Sequence, residues 1–223
     1  MFNTPPKIFS WNDNDIYGII TIEDMEEVLT KEIVQKLMEI QGEARGTSLK
    51  SDGEFILKEE GQKGLARLEK RLNDFGFSIR YKEIRPMDFY PVGLRGIELL
   101  AIKELFGFDK EKFRQMGAFQ TKISLIVKLF MKFFVSLEML AKQGPKIWRK
   151  YYTTGDFEVI EIDSKKKKVI LRLKNFVLHP LHCTLLEGYF GNMIKMVVNV
   201  PVDCKETKCP FKGDEYHEFL LRW

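Results

Sequence analysis

The residues best suited to chemistry lie near the C-terminus, where all three cysteines and all three histidines of the chain fall. Cys183 begins a predicted helix, whose positive end favours a thiolate. Glu206 and Cys209 flank a two-residue turn, and His217 lies in the last predicted strand. Two thiolates, a carboxylate and an imidazole form a four-ligand set that Zn²⁺ accepts tetrahedrally. The sequence therefore predicts a closed, structural zinc site at these four residues, without an open position for a catalytic water.

Cys204 leaves an alternative open at this site. It alternates with Glu206 along a predicted strand, so both side chains point to the same face, and Cys204 could replace one of the four ligands. Three cysteines clustered late in a chain of 223 residues make a poor disulfide framework. The first residues have no basic segment followed by an apolar stretch, so no signal peptide is expected and the cytoplasm is the expected location.

Catalysis is not expected from these residues. His182 and Cys183 are neighbours on a predicted helix, so their side chains point in different directions, and no third group that would orient them is evident. The chain also has no Gly-x-Gly-x-x-Gly fingerprint for a dinucleotide. We expect a binding module and not an enzyme.

Polymers and membranes are also poor candidates as partners. Lys and Arg exceed Asp and Glu by 36 to 32, and the one dense basic run, Lys165–Lys168, fits the tip of a hairpin better than a nucleic-acid surface. Residues 123–141 are apolar and about long enough to span a bilayer. We expect no membrane span there, because polar residues recur every four positions as one stripe of a helix: Gln120, Ser124, Lys128, Lys132 and Ser136.

Hydrophobic periodicity predicts an α+β fold, with an antiparallel sheet packed against helices and no repeated βαβ unit. We divide the chain into an N-terminal α/β extension, residues 1–85, and a main domain, residues 86–223. Strands are predicted at 15–22, 77–84, 157–162, 169–174, 197–206 and 215–223. Helices are predicted at 23–41, 62–74, 95–106, 110–116, 119–142 and 181–196, with a loop at 42–53 and a helix end at Gly144-Pro145.

The spacing of the four ligands resembles a known family. Cys183, Glu206, Cys209 and His217, together with Gly188 in the helix and Gly213 in the turn, are similar to the 4-vinyl reductase domain family. In that family the last zinc ligand is a cysteine, where this chain has His217. The resemblance extends back to about residue 86, and the wider superfamily includes haem-nitric-oxide-binding domains and Golgi transport-complex subunits.

The resemblance implies a sensor-type domain with structural zinc, an enclosed apolar pocket for a small hydrophobic or aromatic ligand, and a homodimer. The helix at 119–142 is too apolar for an ordinary surface helix, and Trp148, Tyr151 or Tyr152 could supply a polar handle. The other interpretation is plain core, which aromatic stripes at helical spacing usually form. The candidate pocket residues are Phe130, Met131, Phe133, Phe134, Met139 and Trp148.

Two further alternatives bear on function. Haem is not expected, because no histidine occurs before His179 to ligate iron from the helical part, and the Tyr-x-Ser-x-Arg motif of the haem-binding relatives is absent. A structural adaptor would use the same fold to dimerise and recruit a partner. It would need a filled core and an exposed apolar patch, whereas a sensor needs a roomy pocket.

Overall fold

The computed structural model describes residues 28–123 and 136–223. Within these ranges the chain has helices and antiparallel strands, so the predicted α+β class is confirmed. The helices are α1 Lys31–Glu39, α2 Gly46–Asp74, α3 Gly93–Phe106, α4 Lys110–Ile123, α5 Leu137–Tyr151 and α6 Pro180–Val198, with a 3₁₀ turn at Pro210–Lys212. The strands are β1 Glu43–Arg45, β2 Phe89–Pro91, β3 Asp156–Asp163, β4 Lys168–Lys174, β5 Asp203–Lys208 and β6 His217–Arg222.

The larger sheet is antiparallel, with strand order β3-β4-β6-β5, and helices α5 and α6 pack on its strands. Val169, Leu171 and Leu173 of β4 are buried, while the residues between them are half-buried, as the alternating pattern predicts. The predicted hairpin is therefore present, in strands one residue longer at one or both ends. The short strands β1 and β2 form a separate two-stranded sheet.

The clearest correction concerns the predicted loop at 42–53, which is β1 followed by the first turns of α2. Its glycines and serines have low helix propensity, but burial overrides that preference here. Ser48, Ser51 and Asp52 are all buried, and the Ser51 hydroxyl donates a hydrogen bond to the carbonyl of Thr47. The helix is interrupted at Gly61, whose φ of 70° falls in the left-handed region.

Other boundaries also differ from the sequence prediction. No strand forms at 77–84, where Tyr81 and Ile84 are buried as part of an irregular segment. Gly144-Pro145 does not end a helix, because α5 begins after the N-cap Ser136 and continues through Pro145 to Tyr151. Helix α4 extends to Ile123, beyond its predicted end at residue 116. The range 197–206, predicted as one strand, contains the end of α6, a connection and the start of β5. The predicted strand at 15–22 lies outside the described residues, as do residues 124–135 of the helix predicted at 119–142.

Helix α3 lies at the centre of the molecule, because every residue from Gly93 to Ile102 is buried. One hydrophobic core connects Leu37 of α1, Leu68 of α2, Leu99 of α3 and Phe219 of β6. Residues on both sides of position 85 therefore share this core, and the division of the chain at that position stays a prediction. None of the described helices is long and apolar enough to cross a membrane.

Candidate functional site

A cavity lies between helices α5 and α6 and strands β3 and β4. The empty space between its lining residues, including the solvent space at its open mouth, is about 820 Å³. Most of its wall is aromatic or aliphatic. The apolar lining residues are Leu140, Ile147, Trp148, Phe157, Val159, Leu171, Leu185, Leu186, Phe190, Met193 and Ile194.

The cavity has one polar end, where α2 and α4 supply Thr47, Ser48, Ser51 and Gln120. Sequence analysis missed this end because residues 42–53 were interpreted as a loop. Two serines three positions apart, followed by Asp52, would share one face of a helix, which is the only sequence signal that points to it.

A buried polar network stands behind the polar end. Gln120 donates a hydrogen bond to Asp52, and Asp52 forms an ion pair with Arg95. The hydroxyl of Tyr81 donates to Glu98, which lies 3.5 Å from the Arg95 guanidinium. Burial, followed by the neighbouring Asp52 carboxylate, raises the pKa of Glu98 well above its ordinary value and favours its protonated form.

The predicted pocket residues fall in three places. Trp148 lines the cavity, and its indole N–H donates to the carbonyl of Thr154 at 2.9 Å, so it offers no free polar handle. Met139 is 39% exposed and is not part of the wall, because α5 directs the next residue, Leu140, into the cavity instead. Tyr151 and Tyr152 both line the cavity. Phe130, Met131, Phe133 and Phe134 lie outside the described residues.

A second site gathers the four residues that the sequence singled out as ligands. One ligand atom from each of Cys183, Glu206, Cys209 and His217 lies within 4.8 Å of the others, a group that could hold a metal ion. Nδ1 of His217 is 2.7 Å from Oε1 of Glu206 and 3.7 Å from Sγ of Cys183. Cys204 lies elsewhere, packed beside Gly191 of α6, so it does not belong to this cluster.

Three local structures position the cluster. His179 caps the start of α6 and places Cys183 in the first turn. Cys209 precedes the 3₁₀ turn, and its backbone N–H donates to Asp214 at 2.8 Å. Nε2–H of His217 donates to the carbonyl of Phe176 at 2.8 Å, which turns Nδ1 towards the cluster.

The cluster also shifts the ordinary pKa values of its members. A hydrogen bond from Cys183 lowers the pKa of Cys209 to about 6, and the same interaction, with burial, raises the pKa of Cys183 well above its usual value. Burial lowers the pKa of His217, but hydrogen bonds with Cys209 and Glu206 outweigh it and raise that pKa to about 9. Without a metal, one thiolate, one thiol and an imidazolium therefore share this buried space.

Comparison with solved structures identifies the fold. An H-NOX protein from S. oneidensis in the Fe(II)NO ligation state matches with a TM-score of 0.61 at 10% identity, covering 80% of this chain and 98% of that one. An unliganded Fe(II) H-NOX protein from K. algicida matches with a TM-score of 0.57 at 11% identity, covering 80% and 95%. The chain has the fold of the H-NOX domains. No protein-family model matches it, and no curated protein is similar to it in sequence.

These neighbours correct the prediction of Zn²⁺ as the cofactor. The two H-NOX proteins are described with Fe(II), and a third structure, with a TM-score of 0.52, is described by its haem redox potential and porphyrin distortion. Solved structures of this fold therefore point to haem and not to zinc. Residue types and spacing predicted which four side chains would lie close together. They did not determine which cofactor proteins of this fold bind.

The donor groups of the cavity do not fit a histidine-ligated haem. Of the three histidines in the sequence, His217 belongs to the cluster, His179 caps α6, and His182 lies 3.1 Å from the Tyr152 hydroxyl. Within the described part of the chain, the cavity wall contains no histidine, cysteine or cationic side chain. Haem iron needs an axial ligand, and the two haem propionates are anionic. This chain therefore shares the fold of the haem-binding neighbours, but the described residues of its cavity wall do not include a histidine that could ligate haem iron.

Proposed function

We propose that this chain is a small-molecule-binding domain of the sensor type, which binds its ligand without transforming it. The observation that carries the proposal is the cavity, whose wall is apolar except at one end. Such a wall favours an uncharged ligand with an aromatic or aliphatic body, because burying an apolar surface is favourable and burying an unpaired charge is costly. The H-NOX neighbours, described with NO, CO and haem, lend support as ligand-binding proteins of the same fold.

Cavity filling tests this proposal. N-phenyl-1-naphthylamine, an uncharged fluorescent probe, should bind the wild type at low micromolar concentration. Ile147→Trp should weaken binding by about tenfold or more, since Ile147 lines the cavity and the indole would occupy ligand space. Ile160→Trp is the matched control, because Ile160 is 43% exposed on β3. No probe binding by the wild type, or equal binding by both variants, would favour the adaptor interpretation.

We further propose that Cys183, Glu206, Cys209 and His217 hold a transition-metal ion with a structural role. Support comes from their mutual distances, and from the histidine N–H bond to Phe176 that orients the imidazole. A bound cation would compensate the half-buried Glu206 carboxylate and the cysteine thiolate, and it would join α6 to the β5–β6 hairpin. Elemental analysis across the transition metals, on protein purified without added metal, is the direct measurement.

Membership of the 4-vinyl reductase domain family is part of the same proposal. Gly188 supports it, since this position of the motif lies where α6 crosses α4. The homodimer also stays a prediction. Helix α3 offers little surface for such an interface, because the residues from Gly93 to Ile102 are buried within a single chain.

A further inference from the structure

The described residues at the polar end of the cavity are uncharged. Thr47, Ser48 and Ser51 come from the first turns of α2, and Gln120 comes from α4. Within the described part of the chain, no Asp, Glu, Lys, Arg or His lines the cavity. Any group that a ligand places at this end must therefore be recognised by hydroxyls and one amide.

Gln120 is the polar lining residue that the buried network holds most firmly. One N–H of its amide donates to Asp52, which is itself fixed by the ion pair with Arg95. Asp52 and Arg95 are fully buried, so this arrangement is shielded from water. The amide keeps a second N–H and its carbonyl oxygen for other partners. It therefore presents a fixed hydrogen-bonding group to the cavity.

The network behind Gln120 balances its own charges. The Arg95 cation faces the Asp52 carboxylate, and its other acidic neighbour, Glu98, favours the protonated form. Among the described residues, a ligand carboxylate at the polar end would thus find no unpaired cation, and its desolvation would remain uncompensated. At the same time, Nε and Nη2 of Arg95 have no hydrogen-bond partner among the described residues. Oε2 of Glu98 also has no hydrogen-bond partner among them, so the expected preference for an uncharged acceptor on the ligand rests on the remaining N–H of the Gln120 amide.

We infer that Gln120 is the specificity-determining residue of the cavity, and that it selects apolar ligands carrying one uncharged hydrogen-bond acceptor over carboxylates and over wholly apolar molecules. This inference rests on the proposed small-molecule function. The ligand's apolar body lies between α5 and α6, and its acceptor lies against Gln120 and Ser48.

Three probes of similar shape test the selection at neutral pH. 2-Acetylnaphthalene carries an uncharged acceptor, 2-naphthoate carries a carboxylate, and 2-isopropylnaphthalene carries neither. Their affinities can be measured by displacement of N-phenyl-1-naphthylamine. We expect 2-acetylnaphthalene to bind roughly 3- to 10-fold more tightly than 2-isopropylnaphthalene, the factor that one neutral hydrogen bond contributes. The carboxylate should bind more weakly than both.

Gln120→Leu should remove the preference for 2-acetylnaphthalene while leaving the affinity for 2-isopropylnaphthalene unchanged or increased. Gln115→Leu is the matched control on the same helix, because Gln115 is exposed and does not line the cavity. Retained affinity for 2-isopropylnaphthalene also establishes that the Gln120 variant is folded around its cavity.

The outcomes separate the two proposals. If none of the three probes binds the wild type, the proposed small-molecule function fails. If they bind but the acetyl group makes no difference, or if Gln120→Leu keeps the preference, the role of Gln120 is overturned and the cavity stands. Tightest binding of 2-naphthoate would overturn the selection of an uncharged group and would indicate that Arg95 is available to the ligand.

Discussion

At the scale of single residues, the four-ligand cluster was accessible from the sequence because its chemistry is distinctive. Thiols and an imidazole that all fall after residue 178 have few other uses in a chain with so poor a disulfide framework. These side chains lie close together because of three local structures: the helix cap at His179, the turn after Cys209 and the pairing of β5 with β6. Residue types alone do not distinguish which ion such a cluster would prefer, because several transition metals accept sulfur and nitrogen ligands.

Cys209→Ser tests the metal proposal. The hydroxyl is a far poorer metal ligand than the thiolate, so metal content should fall from about one ion per chain to a small fraction of that, and the melting temperature should fall because bound metal stabilises the folded state. Differential scanning calorimetry and elemental analysis on the same preparation measure both effects.

The matched control is Cys204→Ser. Cys204 is buried to a similar degree as Cys209 but lies outside the cluster, so this substitution should keep the metal and lose only packing energy. Equal metal content in the two variants, or a wild type that contains no metal, would contradict a role for Cys209 as a ligand.

At the scale of elements, the sequence predicted the helices and strands in which the spacing of hydrophobic residues matches the buried face. The β3–β4 hairpin and α6 were accessible because alternation and helical spacing coincide with one buried face. The first turns of α2 could not be predicted in this way, because their composition favours a loop. The residues responsible are Gly46, Ser48, Ser51 and Gly53. Packing decides there: a Cβ on Gly53 would clash with the ring of Tyr81, so a small residue is required in a helix. The polar end of the cavity was missed for the same reason.

The crossing of α4 and α6 also depends on small residues. A Cβ on Gly117 would overlap the backbone carbonyl of Leu185, and a Cβ on Gly188 would overlap that of Arg114. The two helices therefore approach with their backbones almost in contact. Arg114 and Glu187 pair at 2.8 Å beside this crossing. Because α6 carries both Cys183 and much of the cavity wall, its position against α4 fixes the geometry of both sites.

Gly188→Ala should destabilise the chain by more than about 2 kcal/mol, although alanine favours helices by about 1 kcal/mol over glycine. For a chain of this size, that corresponds to a fall in melting temperature of roughly 4–8 °C or more. Gly191→Ala is the control on the same helix, because its added Cβ would lie at an ordinary 3.4 Å from Cβ of Cys204. A melting temperature for Gly188→Ala equal to that of Gly191→Ala would contradict the close crossing.

At the scale of the whole molecule, the cavity and the metal-ligand cluster are connected through a few side chains. His182 precedes Cys183 of the cluster, and it lies 3.1 Å from the hydroxyl of Tyr152 in the cavity wall. The ring of Phe176 packs 5.3 Å from those of Trp148 and Tyr152, and its carbonyl accepts the hydrogen bond from His217. A shift of the wall on ligand binding would therefore move groups that hold Cys183 and His217, two of the four proposed metal ligands.

This connection predicts that the two sites influence each other. Removal of metal with a chelator, under conditions where circular dichroism reports a folded chain, should weaken binding of N-phenyl-1-naphthylamine by about 5-fold or more, the lower end of typical coupling between sites. By linkage, the probe should raise metal affinity by the same factor.

Tyr152→Phe should reduce that coupling factor, because it removes the hydroxyl that contacts His182. Tyr151→Phe is the control, since Tyr151 also lines the cavity but hydrogen-bonds with Tyr189. Identical probe affinity with and without metal would mean that the cluster stabilises the fold without communicating with the cavity.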